Sequence, residues 1–155
     1  MLITFLRHAE AEGHASSDFD RRLTTKGIEQ AVKAGKFCSR SGLVPDVILS
    51  SPVIRARQTA EIVAKAVGVD VDVVEWLACG MEPEDCLKQL SGLAEVGSIL
   101  LVGHEPDFSE AIAHLIGLPE HSALKVRKAT LTAVEIVDFH AGCGQLQFFV
   151  PVRLM

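Results

Sequence analysis

The sequence predicts an α/β protein, a three-layer sandwich with a mostly parallel central sheet, helices on both faces and a closing antiparallel strand pair. Two observations support this prediction. Short apolar runs typical of buried strands alternate with longer segments that repeat apolar residues at helical spacing. Near the C-terminus the alternation stops, and two strand-like segments flank a glycine-containing turn. No repeat, linker or low-complexity segment interrupts the pattern, so residues 1–155 are expected to form one domain.

The first half of the chain contains two strand–helix units. Apolar runs predict the strands, and threonine and proline residues are expected near the helix starts, where they suit the unbonded amides of a first turn. The predicted elements are a strand over 2–6, a long polar loop over 9–23, a helix from Thr24 or Thr25 with Gly42 as its C-cap, a strand over 47–49, and a helix with Pro52 in its first turn that stops at Gly68.

The second half repeats the alternation and then ends in a hairpin. A β-branched run that alternates with aspartates predicts a strand nearer the sheet edge. The predicted elements are that strand over 69–74, a loop over 75–83, a helix over 84–93 opened by Pro83, a strand over 98–102, a helix from Pro106 to Ile116, a loop or short helix over 118–128, and strands over 130–137 and 145–150 joined by a turn over 140–144.

Composition and charge limit the classes of partner that the protein is expected to bind. The chain has 15 basic and 20 acidic residues, a formal net charge of −5. Nucleic acid and anionic membranes need a basic face, so neither is expected as the main partner, although a local basic pocket would suit a small anionic substrate. No apolar run approaches the length of about 20 residues that spans a bilayer. The N-terminus lacks the pattern of a secretory signal, so a cytoplasmic location is expected. A monomer is also expected.

The four cysteines predict neither a zinc site nor a disulfide framework. Cys38, Cys79, Cys86 and Cys143 are scattered, without C-x-x-C spacing and without histidines at zinc-finger spacing. They are expected to be reduced, partly buried thiols. No cluster of metal ligands is visible, and neither a metal nor a cofactor is expected.

Polar residues follow three of the predicted buried strands. The three strand ends are Arg7-His8, Ser50-Ser51-Pro52 with Arg55 soon after, and Gly103-His104. The carboxyl ends of parallel strands meet at one sheet edge, so two arginines and two histidines are expected to converge there. Guanidiniums offer a fork of donors that matches phosphate oxygens, and imidazoles act as nucleophile or acid near neutral pH. This set of side chains predicts a site for a phosphoryl group.

Four motifs, in order along the chain, resemble those of the histidine phosphatase (phosphoglycerate-mutase-like) superfamily. The motifs are L-R-H-A-E-A at 6–11, R-L-T-x-x-G at 22–27, S-S-P-x-x-R-A-x-Q-T at 50–59 and V-G-H-E-P at 102–106. The short length and the second motif are most similar to the SixA-type phosphohistidine phosphatase branch. The resemblance covers nearly the whole chain.

The resemblance implies a role for each matched residue. His8 is expected to be the nucleophile that becomes phosphorylated, and water would then hydrolyse the phospho-His8 intermediate. Arg7, Arg55 and His104 would hold the phosphoryl group and stabilise the charge of the transition state. Arg21 or Arg22 would approach the same pocket or, as an equal alternative, brace the long loop.

Three positions near these motifs are less clearly assigned. Ala9 replaces the superfamily's common glycine, which the resemblance treats as a marker of the phosphohistidine branch, and Ala9 would line the substrate. Glu75 stands where mutase-like members place a general acid, although its surroundings match poorly. Lys128 precedes a closing strand, where that branch often has a lysine. The weaker acid candidates are Glu82, Glu84 and Asp85.

The function expected from the resemblance is a cofactor-independent phosphatase that removes the phosphoryl group from phosphohistidine on a protein. A phosphatase of a small phosphate ester is the enzymatic alternative, and a non-catalytic phosphate-binding or interaction module is the alternative from another class. A nucleophilic His8 needs one unprotonated ring nitrogen in a fixed orientation. We therefore expect a backbone carbonyl, from residues 9–23 or from the strand end after Val102, to accept a hydrogen bond from His8 Nδ1.

Overall fold

The computed structural model describes the backbone of residues 1–155 and all side chains except that of His121. The strands are β1 (Leu2–Arg7), β2 (Val47–Ser50), β3 (Val71–Val73), β4 (Ser98–Gly103), β5 (Leu131–Ile136) and β6 (Gly144–Val150). The helices are α1 (Thr25–Arg40), α2 (Ile54–Val67), α3 (Pro83–Ser91) and α4 (Asp107–Ile116), and short 3-10 helices cover Glu75–Leu77, His121–Ala123 and Val152–Leu154. Among the described residues, no helix has both the length and the apolar character needed to cross a bilayer.

One six-stranded sheet forms the middle layer, in the order β3-β2-β4-β1-β5-β6. The four strands from β3 to β1 are parallel, because β1 and β2 each pair in parallel with β4, and β3 pairs in parallel with β2. On the other side, β5 pairs antiparallel with β1, and β6 pairs antiparallel with β5. The predicted fold class, with its closing antiparallel pair, is confirmed. β1 therefore lies inside the sheet, with a paired neighbour on each side.

Two hydrophobic clusters fill the spaces between the sheet and the helices. Ile3 and Phe5 of β1 belong to a cluster that also contains residues of α3 and α4. Leu6 belongs to the second cluster, which contains residues of α1 and α2. Successive side chains of a strand point to opposite faces, so one apolar run serves both layers. Such two-sided burial explains why β1 is a continuous apolar run rather than an alternating one.

The predicted element boundaries hold for most elements, and two need correction. Pro52 precedes α2, which begins at Ile54 after an extended N-cap residue, so Pro52 is not in the first turn. The third strand covers only Val71–Val73, although a longer strand was expected. The amides of Gly68 and Val69 both donate to the Ala64 carbonyl in the turn that ends α2. These two residues therefore belong to the helix terminus and do not extend the strand. All four cysteines are free, and Cys38 and Cys86 are buried.

Gly27 allows the long loop to pack against the first turn of α1. A Cβ built at this position would overlap the Glu10 carbonyl oxygen, which also accepts a hydrogen bond from the Thr24 amide at 3.0 Å. Gly27→Ala is therefore expected to destabilise the protein by about 1–3 kcal/mol, because overpacking against backbone outweighs the better helix propensity of alanine. Urea unfolding measures the change. Gly13→Ala is the control, since a Cβ at Gly13 has nothing within 4 Å; equal stability of the two variants would contradict the packing argument.

Candidate functional site

The polar strand ends meet at the carboxyl edge of the parallel strands. The backbone amide of His8 donates to the Gly103 carbonyl at 2.9 Å, and the amide of Ser51 donates to the Val102 carbonyl at 3.0 Å. The residues that follow β1 and β2 are thus bonded directly to the end of β4. These backbone hydrogen bonds fix the positions of the Cα atoms that follow each strand. The side chains on those atoms therefore start from fixed positions, as a preorganised site requires.

Four of the predicted side chains come together at this edge. The rings of His8 and His104 have centroids 5.4 Å apart and are tilted by 53°. Arg55 Nε lies 3.3 Å from His8 Nε2. Arg7 completes the group from the end of β1, and its Nη1 donates to the Val126 carbonyl at 2.9 Å. Burial, and secondarily the charge of Arg55, lowers the pKa of Arg7, which shows that the two guanidiniums share one electrostatic environment.

The His8 ring has a defined tautomer. Nδ1 lies 2.7 Å from the carbonyl oxygen of Ala9, which can only accept, so the proton is on Nδ1. Nε2 is therefore unprotonated, and its only lone pair accepts a hydrogen bond from Arg55 Nε. The expectation that a backbone carbonyl orients this ring is confirmed. Desolvation is the largest cause that lowers the His8 pKa, to about 3, and His104 and the two arginines lower it further, so Nε2 is unprotonated at neutral pH.

His104 is held in a similar way by a neighbouring strand end. Its Nε2 lies 2.8 Å from Ser51 Oγ, which also accepts a hydrogen bond from the Val53 amide. Burial, followed by the charge of Arg55, lowers the pKa of His104 to about 4, so this ring is also neutral. His104 Nδ1 and Arg7 Nε are buried without a hydrogen-bond partner among the described residues. Unpaired buried polar atoms are rare in proteins, and two of them here mark a place prepared for a polar ligand.

Thr59 explains the end of the third motif. Its hydroxyl accepts a hydrogen bond from the Ala9 amide at 3.1 Å and donates to the Arg55 carbonyl at 2.7 Å. One side chain on α2 therefore links the turn after His8 to the helix residue that carries the guanidinium. Ala9 is fully buried and has no positive φ, so alanine is accommodated without strain at the position where glycine is common. Its role toward substrate stays a prediction.

The long loop contributes Asp18, which the sequence analysis did not single out. Arg55 Nη1 donates to the Asp18 carbonyl oxygen at 2.7 Å, and Arg55 Nη2 contacts the Asp18 carboxylate at 3.0 Å. Arg21 Nη1 contacts the other carboxylate oxygen at 2.8 Å. Hydrogen bonds from Arg21 and then from Arg55 lower the pKa of Asp18. Arg21 thus reaches the cluster through Asp18, while Arg22 is exposed and makes no contact with the four clustered residues.

The acid candidates lie away from the cluster. Glu75 is exposed at the start of a 3-10 helix, and no hydrogen bond or ion pair joins it to the four clustered side chains. Glu82, Glu84 and Asp85 are also exposed. Glu105, next to His104, is a further carboxyl near the site besides Asp18. Burial raises the pKa of Glu105, and its hydrogen bond with Ser109 and the charge of Arg7 offset part of this rise. Among the described residues, no three His, Cys, Asp or Glu side chains are grouped closely enough to hold a metal ion.

The neutral state of His8 makes stability depend on pH. The pKa of His8 is about 3 in the folded protein and near 6.5 in an unfolded chain. Between these values the unfolded state binds more protons, so stability rises with pH and is lost as the pH falls. From about pH 7.5 to about pH 5, His8 alone is expected to cost about 2 kcal/mol of unfolding free energy. Urea unfolding of the wild type and of His8→Ala at both pH values isolates this contribution; equal pH dependence would contradict the buried neutral ring.

Comparisons with known proteins agree with this geometry. The family model for the histidine phosphatase superfamily (branch 1) matches residues 3–78. An uncharacterised protein of Picosynechococcus sp. is 35% identical over 153 residues, which cover 95% of this chain and 89% of that protein. The phosphohistidine phosphatase SixA homolog of Haemophilus influenzae is 34% identical over 128 residues, which cover 76% of this chain and 78% of the relative.

A solved structure matches the whole fold. It is the protein histidine phosphatase SixA complexed with tungstate, with a TM-score of 0.90 and 23% sequence identity. The match covers 99% of this chain and 98% of the other. The likeness extends to the closing antiparallel strands, which lie outside the segment matched by the family model.

Proposed function

Since the chain belongs to the histidine phosphatase superfamily, we propose that it dephosphorylates phosphohistidine on a protein through a covalent intermediate on His8. The observation that carries the proposal is the state of His8. Its Nε2 is unprotonated and its Nδ1 proton is held by the Ala9 carbonyl. A neutral imidazole of fixed orientation becomes a nucleophile for a phosphoryl group once Nε2 is released from its hydrogen bond with Arg55 Nε.

In the first step, His8 Nε2 attacks phosphorus and the P–N bond to the substrate imidazole breaks. When the other ring nitrogen of the substrate imidazole carries a proton, the imidazole leaves as a neutral molecule with the electron pair of the broken bond, and the phosphoryl group is then bonded to Nε2. In the second step, water attacks phosphorus and the bond to Nε2 breaks, which gives inorganic phosphate and restores neutral His8. An imidazole leaves more easily than an alkoxide, so this substrate makes little demand on a general acid. That is consistent with the exposed position of Glu75.

The surrounding groups supply charge stabilisation. Arg7 and Arg55 present guanidinium donors to the oxygens of the transferring group, and the transition state concentrates negative charge on those oxygens. His104 has an unpaired ring nitrogen, Nδ1, and Arg7 has an unpaired Nε, among the described residues. Arg7 Nε can donate to a phosphoryl oxygen, and His104 Nδ1 can do so in the tautomer that carries its proton on Nδ1. Preorganised donors of this kind typically contribute 10²- to 10³-fold each to the rate, on the order of a few kcal/mol.

A protein substrate is favoured over a small phosphate ester by similarity and by shape. The Haemophilus influenzae relative, of comparable length, is named a phosphohistidine phosphatase. Arg7 also forms part of the wall of an open groove rather than of an enclosed cavity. A cytoplasmic location would give the enzyme access to phosphorylated proteins of that compartment.

Substrate comparison and labelling test the proposal together. We expect kcat/KM on a phosphohistidine peptide to exceed that on sugar and nucleotide phosphates by at least about tenfold, a difference of about 1.4 kcal/mol in transition-state binding. A substrate labelled in its phosphoryl group should transfer acid-labile label to the protein. A reversed preference would favour the small-ester phosphatase, and the lack of both turnover and label would identify a binding module.

A further inference from the structure

A basic groove adjoins the site. It has a volume of about 420 Å³, and Arg7 forms part of its wall. We use the name basic groove for the surface formed by this arginine together with Glu10, Gln30, residues 125–128 and residues 151–153. The segment 125–128 approaches from the loop before β5, and 151–153 follows β6, so the groove lies on the side of the site where the antiparallel strands close the sheet.

The groove concentrates positive charge in an acidic protein. The cations along it are Arg7, Lys125, Arg127, Lys128 and Arg153, against a single carboxylate, Glu10. That carboxylate is already paired with Lys26 at 3.0 Å. The whole chain has a net charge of −5, so this cluster of like charges is a local departure from the average.

Three of these cations have no ion-pair partner among the side chains that the structure describes. Among the residues whose side chains are described, none makes an ion pair or a side-chain hydrogen bond with Lys125, Arg127 or Arg153. By contrast, Arg21 pairs with Asp18 at 2.8 Å, and Arg57 pairs with Glu61 at 3.5 Å. A row of unpaired like charges repels itself and gains from an anionic partner, so the charge favours a ligand that carries several negative groups.

The groove is connected directly to the nucleophile. Arg7 Nη1 donates to the carbonyl of Val126, between two of the groove cations. The amide of Ala129 donates to the carbonyls of Arg7 and His8, at 3.0 and 3.4 Å. Residues 125–128 and the adjoining Ala129 are therefore hydrogen-bonded to Arg7 and His8. Arg7 also lines the groove, so the groove adjoins the residue that precedes His8 in the chain.

We infer that the basic groove binds an acidic surface next to the phosphohistidine of a substrate protein. The inference rests on the proposed function and names the substrate class more closely. Lys125, Arg127 and Arg153 are exposed at the rim, on long side chains. A subsite for a small polyanion needs buried, fixed donors, whereas exposed cations spread along a groove suit the carboxylates of a protein surface, where they raise the association rate and set the orientation.

Two synthetic phosphohistidine peptides, one flanked by glutamates and one by glutamines, test the inference. We expect the wild type to have a kcat/KM ratio above about fivefold in favour of the glutamate peptide at low salt, and this ratio to fall as salt is added. The triple variant Lys125→Glu, Arg127→Glu, Arg153→Glu should reduce the ratio to about one or below. The triple glutamine variant, a milder change, should give an intermediate ratio.

The matched control is Lys36→Glu, Lys65→Glu, Lys88→Glu, which reverses three exposed cations that do not line the groove and should leave the ratio unchanged. An unchanged ratio in the groove variant, or an equal change in the control, would overturn the inference. So would an equal loss on both peptides, since the cations would then act on the phosphoryl group itself.

Binding separates this inference from the proposed function. Both peptides are also prepared with plain histidine, and their Kd values are measured at low salt. If the wild type cleaves neither phosphopeptide, the phosphohistidine phosphatase function fails, and the groove is judged by binding alone. Tighter binding of the glutamate peptide, lost in the groove variant, supports an acidic ligand; equal binding of the two peptides contradicts it.

Discussion

Replacement of His8 by alanine is expected to abolish turnover, with a loss on the order of 10⁴-fold or more in kcat. The expectation follows from the proposed bond between Nε2 and phosphorus, since Nε2 is unprotonated and lies 3.3 Å from Arg55 Nε. The fold should remain, because the backbone bonds from β1 to β4 do not involve the ring. Steady-state kinetics and labelling with a phosphorylated substrate measure the loss.

His140→Ala is the control for the His8 substitution. His140 is exposed beyond β5 and contacts Asp138 at 3.0 Å, far along the chain from the strand ends that form the site. Its replacement should leave kcat unchanged. A His8→Ala protein that still accepts label from substrate would show that another atom carries the phosphoryl group.

Replacement of Arg55 should give the second largest effect. Arg55→Lys keeps a positive charge but loses the planar fork of donors, so kcat/KM is expected to fall by about 10²-fold, and Arg55→Ala should fall further. Both kcat and KM should change, since a guanidinium binds the phosphoryl group in the ground state and in the transition state. Steady-state kinetics of both variants check this result.

Arg57→Lys is the matched control, because Arg57 belongs to the same helix but is exposed and paired with Glu61. It should retain wild-type kinetics. Full activity of Arg55→Lys would show that charge alone is sufficient and would contradict a bidentate role for this guanidinium.

The strand ends could be predicted from the sequence because their position follows from periodicity. A continuous apolar run that ends on Arg7-His8 specifies both a buried parallel strand and the edge at which its polar residues emerge. The same argument brought Arg55 and His104 to that edge. The orientation of the His8 ring also followed, since a turn after a strand offers backbone carbonyls as acceptors.

The loop residues could not be predicted in this way. Asp18 reaches Arg55 only because residues 9–23 fold back over the site, and no periodic pattern fixes the path of such a loop. Glu105 was not predicted, because the sequence around a single carboxyl next to a proline does not indicate whether that carboxyl is buried or exposed. Glu75 was selected through the resemblance, because mutase-like members place a glutamate after the third strand, yet the side chain of Glu75 is exposed at the start of a 3-10 helix.

The Asp18 carboxylate has a consequence for how substrate is taken up. It bridges Arg55 and Arg21, so two guanidiniums of the site region already share a negative partner within the protein. A phosphoryl group that takes the Arg55 donors must compete with this carboxylate, and uptake becomes an exchange of anions. The carboxylate can return as phosphate departs, since its side chain is 63% exposed and belongs to a loop. An internal competitor of this kind lowers affinity for substrate and product alike, and therefore favours rapid turnover over tight retention of phosphate.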